Sequence, residues 1–173
     1  MTSKLIKIAV GGGCHWCTEA VFQSLIGVKQ VEQGYVASDG DAASFSEAVI
    51  VHFNPETLPL SVLINIHLHT HKSTANHSFR DKYRSAVYFF SEIQHTELRA
   101  ILKQLQSEFK KPLVTKTLPF TTFKPSREQI TEYYYKNPQK PFCKQFIHPK
   151  LTVLLRKFSE FAAIDLITKS LQK

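Results

Sequence analysis

The chain of 173 residues has no apolar run long enough to cross a bilayer, which excludes an integral helical membrane protein, and no membrane partner is expected. Its first residues, Met1-Thr2-Ser3-Lys4, carry no apolar signal core and no small-residue cleavage site, so a cytoplasmic protein is expected. Cysteine is scarce. Three cysteines without a leader do not make a disulfide scaffold; they fit reduced thiols, and an odd count leaves at least one of them unpaired. Acidic residues are outnumbered, 14 against 22 Lys and Arg, for a net charge of +8. A nucleic-acid stripe would gather that excess into a dense run interleaved with aromatics. Lys110-Lys111, Lys136 to Lys144 and Arg156-Lys157 are instead dispersed, which reads as a solvated basic surface with no nucleic-acid partner. Internal repeats and low-complexity linkers are also missing. At this length one buried core is expected: a single domain over 1–173, expected as a monomer, with 125–173 as a C-terminal tail and helix.

The segment Gly11-Gly12-Gly13-Cys14-His15-Trp16-Cys17 stands out. It follows a short apolar stretch and leads into helical spacing, the arrangement of strand, glycine turn and helix start. Glycines permit positive φ and tight turning. The free N–H groups and dipole of a helix start stabilise a thiolate, so Cys14 is the candidate nucleophile. Cys17, three residues on, falls one helical turn away on nearly the same face. The C-x-x-C spacing suits a redox pair, and Cys17 as a small apolar core residue suits the pattern equally well.

Further along, Lys4 to Val10, Val28 to Val36, Ala48 to Phe53, Ser85 to Phe90 and Thr115 to Phe120 read as strands. Thr18 to Leu25 (closed by Gly27), Leu60 to Leu68 and Glu92 to Lys110 read as helices, and His69 to Arg80 as an ordered loop. After Pro125 come a helix holding Tyr133-Tyr134-Tyr135, a Pro-containing loop around Cys143, and a final amphipathic helix from Pro149 to Leu171. The order predicts an α+β fold: a ferredoxin-like two-layer α/β sandwich, a mixed sheet with helices on one face, plus a C-terminal extension.

Several segments, in order, resemble the peptide methionine sulfoxide reductase A family. Gly13-Cys14-His15-Trp16-Cys17-Thr18-Glu19 resembles its G-C-F-W nucleophile segment with a following glutamate, and Gly34-Tyr35 its second strand. Ser46-Glu47-Ala48-Val49 is similar to H-A-E-x-V, with Asn54-Pro55 as the turn after it. Tyr83-Arg84-Ser85-Ala86-Val87 is similar to Q-Y-R-S-A-I, and Tyr134-Tyr135-Lys136-Asn137-Pro138 precedes Cys143 as in the family's tail.

The resemblance implies reduction of methionine S-sulfoxide, free or in proteins, with no metal or organic cofactor and with an external thiol reductant such as thioredoxin. It implies that Cys14 attacks the sulfoxide sulfur and becomes a sulfenic acid, that Glu47 protonates the departing oxygen, and that Cys143 resolves the sulfenic acid as a disulfide. Trp16 and the residue at His15 would line the pocket for the S-methyl group, and Tyr83 would hydrogen-bond the oxygen. Chemistry supports Glu47 independently, since the oxygen leaves poorly until protonated and desolvation of a carboxyl on an apolar strand favours its protonated form.

The sequence departs from the family at His15 (phenylalanine there), at Ser78 (aspartate), at His71-Lys72-Ser73-Thr74 (H-D-P-T) and at Arg80-Asp81-Lys82-Tyr83 (G-T-Q-Y), and Phe142 replaces a tyrosine. The loop after Gly34-Tyr35 is about ten residues shorter and lacks the family's oxygen-binding tyrosine. His67, His69, His71 and His77 lack an acidic cluster and a metal-ligand spacing, so no metal site is expected. Two other readings stay open: a thiol-disulfide oxidoreductase or redox sensor using Cys14 and Cys17, and a non-catalytic peptide-binding descendant.

Overall fold

The computed structural model describes residues 4–172. Its centre is the strand β1 (Ile6–Gly11), which pairs antiparallel with β3 (Ser46–Phe53) on one side and β4 (Ala86–Phe89) on the other. These strands are apolar at consecutive positions because both of their faces are buried. Ile8, Val10, Val49, Val51, Val87 and Phe89 point into one core cluster. Ala9, Ala48, Ile50, Ala86 and Tyr88, the alternate positions, point into a second.

Next to β3 lies β2 (Val28–Ala37), so the inner order β4-β1-β3-β2 is antiparallel throughout. Two short strands complete a six-stranded mixed sheet: β5 (Lys116–Pro119), parallel to β4, and β6 (Thr122–Pro125), antiparallel to β2. They occupy opposite edges, yet only Phe120 and Thr121 separate them. Three Cα–Cα steps reach at most roughly 11 Å, so the sheet is rolled until its edges meet. Thr121 closes the seam, its N–H and Oγ1 both donating to the Ala37 carbonyl, and Ser38 Oγ donates to the Pro119 carbonyl at 2.6 Å. The α+β class and the mixed sheet follow the sequence reading. The ferredoxin-like two-layer sandwich needs correcting: the sheet is curled, and its second face is filled by its own Tyr88, Phe120 and Phe123 rather than left as an open layer. The sequence reading does not include β6, because four residues ending at a proline carry little strand signal.

The other face carries the helices. α1 (His15–Gln23) buries Ala20, Val21 and Phe22, and starts three residues earlier than its periodicity suggests because Cys14 is its N-cap. α2 (Leu60–His69) lies where predicted. α3 (Glu92–Leu105) is capped by Ser91, whose Oγ accepts from the Gln94 N–H, and tightens into a 3-10 turn at Gln106–Glu108 instead of running on to Lys110. The tail differs most from expectation. After the single turn α4 (Tyr133–Lys136), Cys143 sits in a π turn, Cys143–Ile147, that runs directly into α5 (His148–Lys157). The predicted last helix is therefore two, α5 and α6 (Ile164–Leu171). The break between them docks on the end of α1, with Ile26 N–H donating to Phe161 O and Ala163 N–H to Ser24 O, both at 2.8 Å. Burial of Phe158 and Ala162 there outweighs helical continuity. No helix among the described residues is long and apolar enough to cross a membrane.

Candidate active site

The turn from β1 into α1 is shaped by close approach rather than by unusual dihedrals. Gly11, Gly12 and Gly13 all lie outside the positive-φ region expected from sequence. A Cβ on Gly12 would stand 2.3 Å from the His71 ring, and one on Gly11 would stand 2.7 Å from the Glu47 carbonyl oxygen. Beneath the turn, His67 Nε2 donates to the Gly11 carbonyl at 2.9 Å, and the His71 ring stacks on His67 at 4.1 Å. His71 Nε2 meets Ser85 Oγ at 2.8 Å. Burial keeps both imidazoles neutral: it holds His67 down at about 3 and His71 well below the usual histidine value. They support backbone, and among the described residues no group of acidic, Cys or His side chains is arranged to hold a metal.

Cys14, half-buried, occupies the N-cap of α1. Its thiol is held below its ordinary value, chiefly by a hydrogen bond from the Cys17 thiol, with help from the N–H groups of Trp16 and Cys17; burial and the charge of Glu47 oppose this. Cys17 is pushed strongly upward by that same bond, by burial and by the Cys14 charge. The pair therefore divides its roles: Cys14 takes the negative charge and Cys17 keeps the proton.

Cys14 and Cys17 floor a cleft of about 640 Å³. Phe79, Phe142 and Phe146 give it apolar walls, while Tyr83 and Lys150 bring polar atoms to it. Tyr83 is placed by Arg80, whose Nη1 donates to the carbonyls of Gly12 at 3.0 Å and Tyr83 at 2.9 Å. Lys150, on α5, donates from Nζ to the Thr70 carbonyl. Burial lowers its pKa, and the charges of Cys17 and Cys14 oppose that. Arg80 and Lys150 are the site residues that sequence reasoning missed. A lysine on an amphipathic helix reads as solvated, and nothing local says that the rolled tail turns it inward.

Glu47 lies behind the thiol, 7% exposed. Its Oε1 accepts the His15 backbone N–H at 3.1 Å, and Lys82 Nζ stands 3.9 Å from Oε2. The His15 ring, expected beside the substrate's methyl group, points away from the cleft. Nδ1 donates to the Gly34 carbonyl at 2.9 Å, Nε2 lies 3.5 Å from Glu47 Oε1, and Tyr35 packs edge-on at 5.1 Å. A carbonyl and a carboxylate attract imidazole more strongly than an apolar wall does, which corrects that assignment. Trp16 stacks on Tyr133 at 4.0 Å and meets the edge of Phe142 at 5.4 Å. Tyr133 is held there by buried Glu19, whose carboxylate accepts the N–H groups of Glu132 at 2.9 Å and Tyr133 at 3.2 Å.

Cys143 is fully buried rather than in a loop. Its Sγ lies 3.6 Å from the Asn137 carbonyl, and burial pushes its thiol upward against the pull of Lys140. It shares the main core cluster with Cys17, close enough for its charge to bear on that thiol. All three cysteines are unpaired.

A thiol held below its ordinary pKa at a helix start, facing a cleft and backed by a carboxyl, defines a cysteine-dependent enzyme on an α+β scaffold. The sequence pattern of the peptide methionine sulfoxide reductase family matches residues 6–161, and the chain belongs to that family. Peptide methionine sulfoxide reductase MsrA of Thermus thermophilus is 32% identical over 86% of this chain and 93% of its own. The reduced form of Mxr1 from Saccharomyces cerevisiae has the same fold, with a TM-score of 0.71 and 25% identity over 83% of this chain and 91% of Mxr1. Mxr1 in complex with Trx2 aligns with a TM-score of 0.60 at 23% identity, over 73% of this chain and 84% of that one.

Proposed function

We propose that this protein reduces methionine S-sulfoxide, in peptides or free, to methionine. The observation that carries the reading is the Cys14 thiol at the start of α1, poised by Cys17 and two backbone N–H groups at the floor of a cleft with apolar walls, with the Glu47 carboxyl directly behind it. The cleft takes the thioether end of the substrate against Phe79, Phe142 and Phe146. Tyr83 reaches the sulfoxide oxygen, and Trp16 packs at the cleft's side against Phe142. The Cys14 thiolate attacks the sulfoxide sulfur while Glu47 gives a proton to the oxygen. The oxygen then passes to Cys14 as a sulfenic acid and methionine leaves, so sulfur of the substrate gains the two electrons that Cys14 loses. No metal or organic cofactor enters.

A second thiol then attacks the sulfenic acid, forming a disulfide and water. The family resemblance assigns this to Cys143. Because Cys143 is buried in its π turn, that route requires the turn to open, whereas Cys17 sits one helical turn from Cys14 and its thiol bears on the Cys14 sulfur. The contact between Cys14 and Cys17 also favours the second reading, a dithiol redox protein. An external dithiol protein of the thioredoxin kind closes the cycle. The test is reduction of N-acetylmethionine sulfoxide with dithiothreitol, wild type against Cys14→Ser; equal rates would overturn the proposal. Mass mapping of the disulfide after one turnover separates Cys14–Cys143 from Cys14–Cys17. A Cys14–Cys17 bond formed by oxidant alone, without sulfoxide turnover, supports the dithiol redox protein.

A further inference from the structure

Each turnover of the proposed reaction consumes one proton at the sulfoxide oxygen, and the group that delivers it must be refilled. Glu47 has an unusual neighbour for that task. The two residues are almost completely withdrawn from water, His15 at 4% and Glu47 at 7% exposure. A carbonyl oxygen only accepts, so the 2.9 Å contact with Gly34 puts a hydrogen on His15 Nδ1. That fixes the tautomer of the neutral ring and leaves Nε2 with its lone pair free, 3.5 Å from Glu47 Oε1. The same Oε1 is anchored by the His15 backbone N–H at 3.1 Å, so one residue both positions the carboxyl and presents a base to it. Tyr35, the cross-strand partner of Glu47, packs edge-on against the ring at 5.1 Å and fixes its plane.

We propose that His15 is a positioning and proton-relay residue acting through Glu47, so that the pair rather than the carboxyl alone holds the proton taken by the sulfoxide oxygen. This rests on the reading of Glu47 as the proton donor. The proton balance closes within the site. Cys14 sheds one proton on becoming a thiolate, and the pair stores it between Oε1 and Nε2. Glu47 passes it to the oxygen, which ends as the hydroxyl of the sulfenic acid. When the external dithiol regenerates the Cys14 thiol, its proton refills the pair. The imidazole Nε2 gives the proton a second site to occupy beside the carboxyl oxygen.

The other groups facing the pair are the Cys14 thiol from α1, Tyr35 from β2, and Lys82 from the segment before β4. Lys82 lies 3.9 Å from the other carboxylate oxygen, with its side chain 65% exposed, and beside Tyr83. It is the rival source of the proton, and it faces solvent.

The experiment is a single-turnover measurement of methionine release from N-acetylmethionine sulfoxide between about pH 5.5 and 9, using the full chain. The variants are His15→Phe, His15→Gln, Lys82→Met and Glu47→Gln. His15→Gln keeps a donor for Gly34 but relays no proton, so it guards against a simple packing effect of phenylalanine. In both His15 variants the alkaline limb of the rate profile moves down by about one pH unit, with a loss on the order of tenfold near pH 8 and about twofold near pH 6. KM changes less than about twofold, since the ring does not touch substrate. Lys82→Met keeps the wild-type limb. Profiles of the His15 variants that superimpose on wild type, or that fall equally at every pH, overturn the proposal; so does a shifted limb in Lys82→Met alone. Glu47→Gln losing on the order of a hundredfold with unshifted His15 profiles leaves the reading of Glu47 standing and removes only the relay. Glu47→Gln at full rate removes both.

Discussion

Cys14 and Cys143 are both free thiols set against the same core, and their surroundings drive them in opposite directions. Cys14 ends a glycine turn, with two backbone N–H groups and the Cys17 thiol aimed at its sulfur and a cleft in front. Cys143 is wrapped in a π turn with one carbonyl near its sulfur, which favours the neutral form, and it is fully buried. Donors around the first thiol stabilise negative charge; an acceptor and burial around the second oppose it. The contrast teaches that reactivity lies in what the backbone offers the sulfur. It also separates the two in access: one thiol opens onto a cleft, and the other is closed in by the tail.

The largest effect that would break this contrast is on turnover. Cys14→Ser is expected to lose at least about a thousandfold in sulfoxide reduction, whereas Cys143→Ser keeps a first turnover within about twofold of wild type and loses its later ones. Rapid-quench measurement of methionine formed per enzyme checks this, and a Cys143→Ser variant without a first turnover would break the comparison. Next, iodoacetamide near pH 7 should alkylate Cys14 about a hundredfold faster than Cys143 in the folded protein, and the two about equally in urea. Peptide mass mapping against time reads the ratio; similar native rates would remove the distinction.

A third measurement concerns the platform under Cys14. The folded His67 titrates at about 3, below its unfolded value, so the unfolded chain takes up a proton first as pH falls. Stability is intact above about pH 6.5 and declines toward pH 3, with about 2 to 3 kcal/mol lost by pH 4.5 from this residue, and His71 adds in the same direction. Urea denaturation across that range measures the slope, and a flat profile would show that these rings are not buried neutral. The smallest effect belongs to Lys150. Lys150→Met removes a cation beside the thiols, and Cys14 alkylation near pH 7 should slow by about threefold while Cys143 is unchanged. An equal change at both sites would mean that α5 has shifted rather than that a charge was lost.

Much of the scaffold was legible in the chain. Consecutive apolar residues in β1 and β3 mark strands buried on both faces, and the Gly11 to Cys17 segment marks the thiol at a helix start. The sequence reading erred where a local pattern met a distant partner. His15 looked like a pocket residue until Gly34 and Glu47, 19 and 32 positions away, drew its ring inward. The final helix looked continuous until the end of α1 captured the segment around Phe161 and Ala163. The loop around Cys143 became a π turn because Ile147, Leu151 and Leu154 needed burial in the main core. Gly34, Glu47 and the end of α1 all lie far along the chain from the residues they redirect.

What the sequence by itself determined was most of the order of elements, together with the candidate nucleophile Cys14, its C-x-x-C neighbour Cys17 and a carboxyl, Glu47, on β3. These depend on local periodicity and on residue types whose chemistry has few alternatives. The tertiary structure alone decided that the sheet is rolled until β5 and β6 meet, that Lys150 joins the cleft while Arg80 braces the Tyr83 backbone, that Cys143 is hidden and that His15 faces Glu47. Those outcomes depend on which distant surfaces share a core, and on buried polar groups finding partners wherever the fold places them.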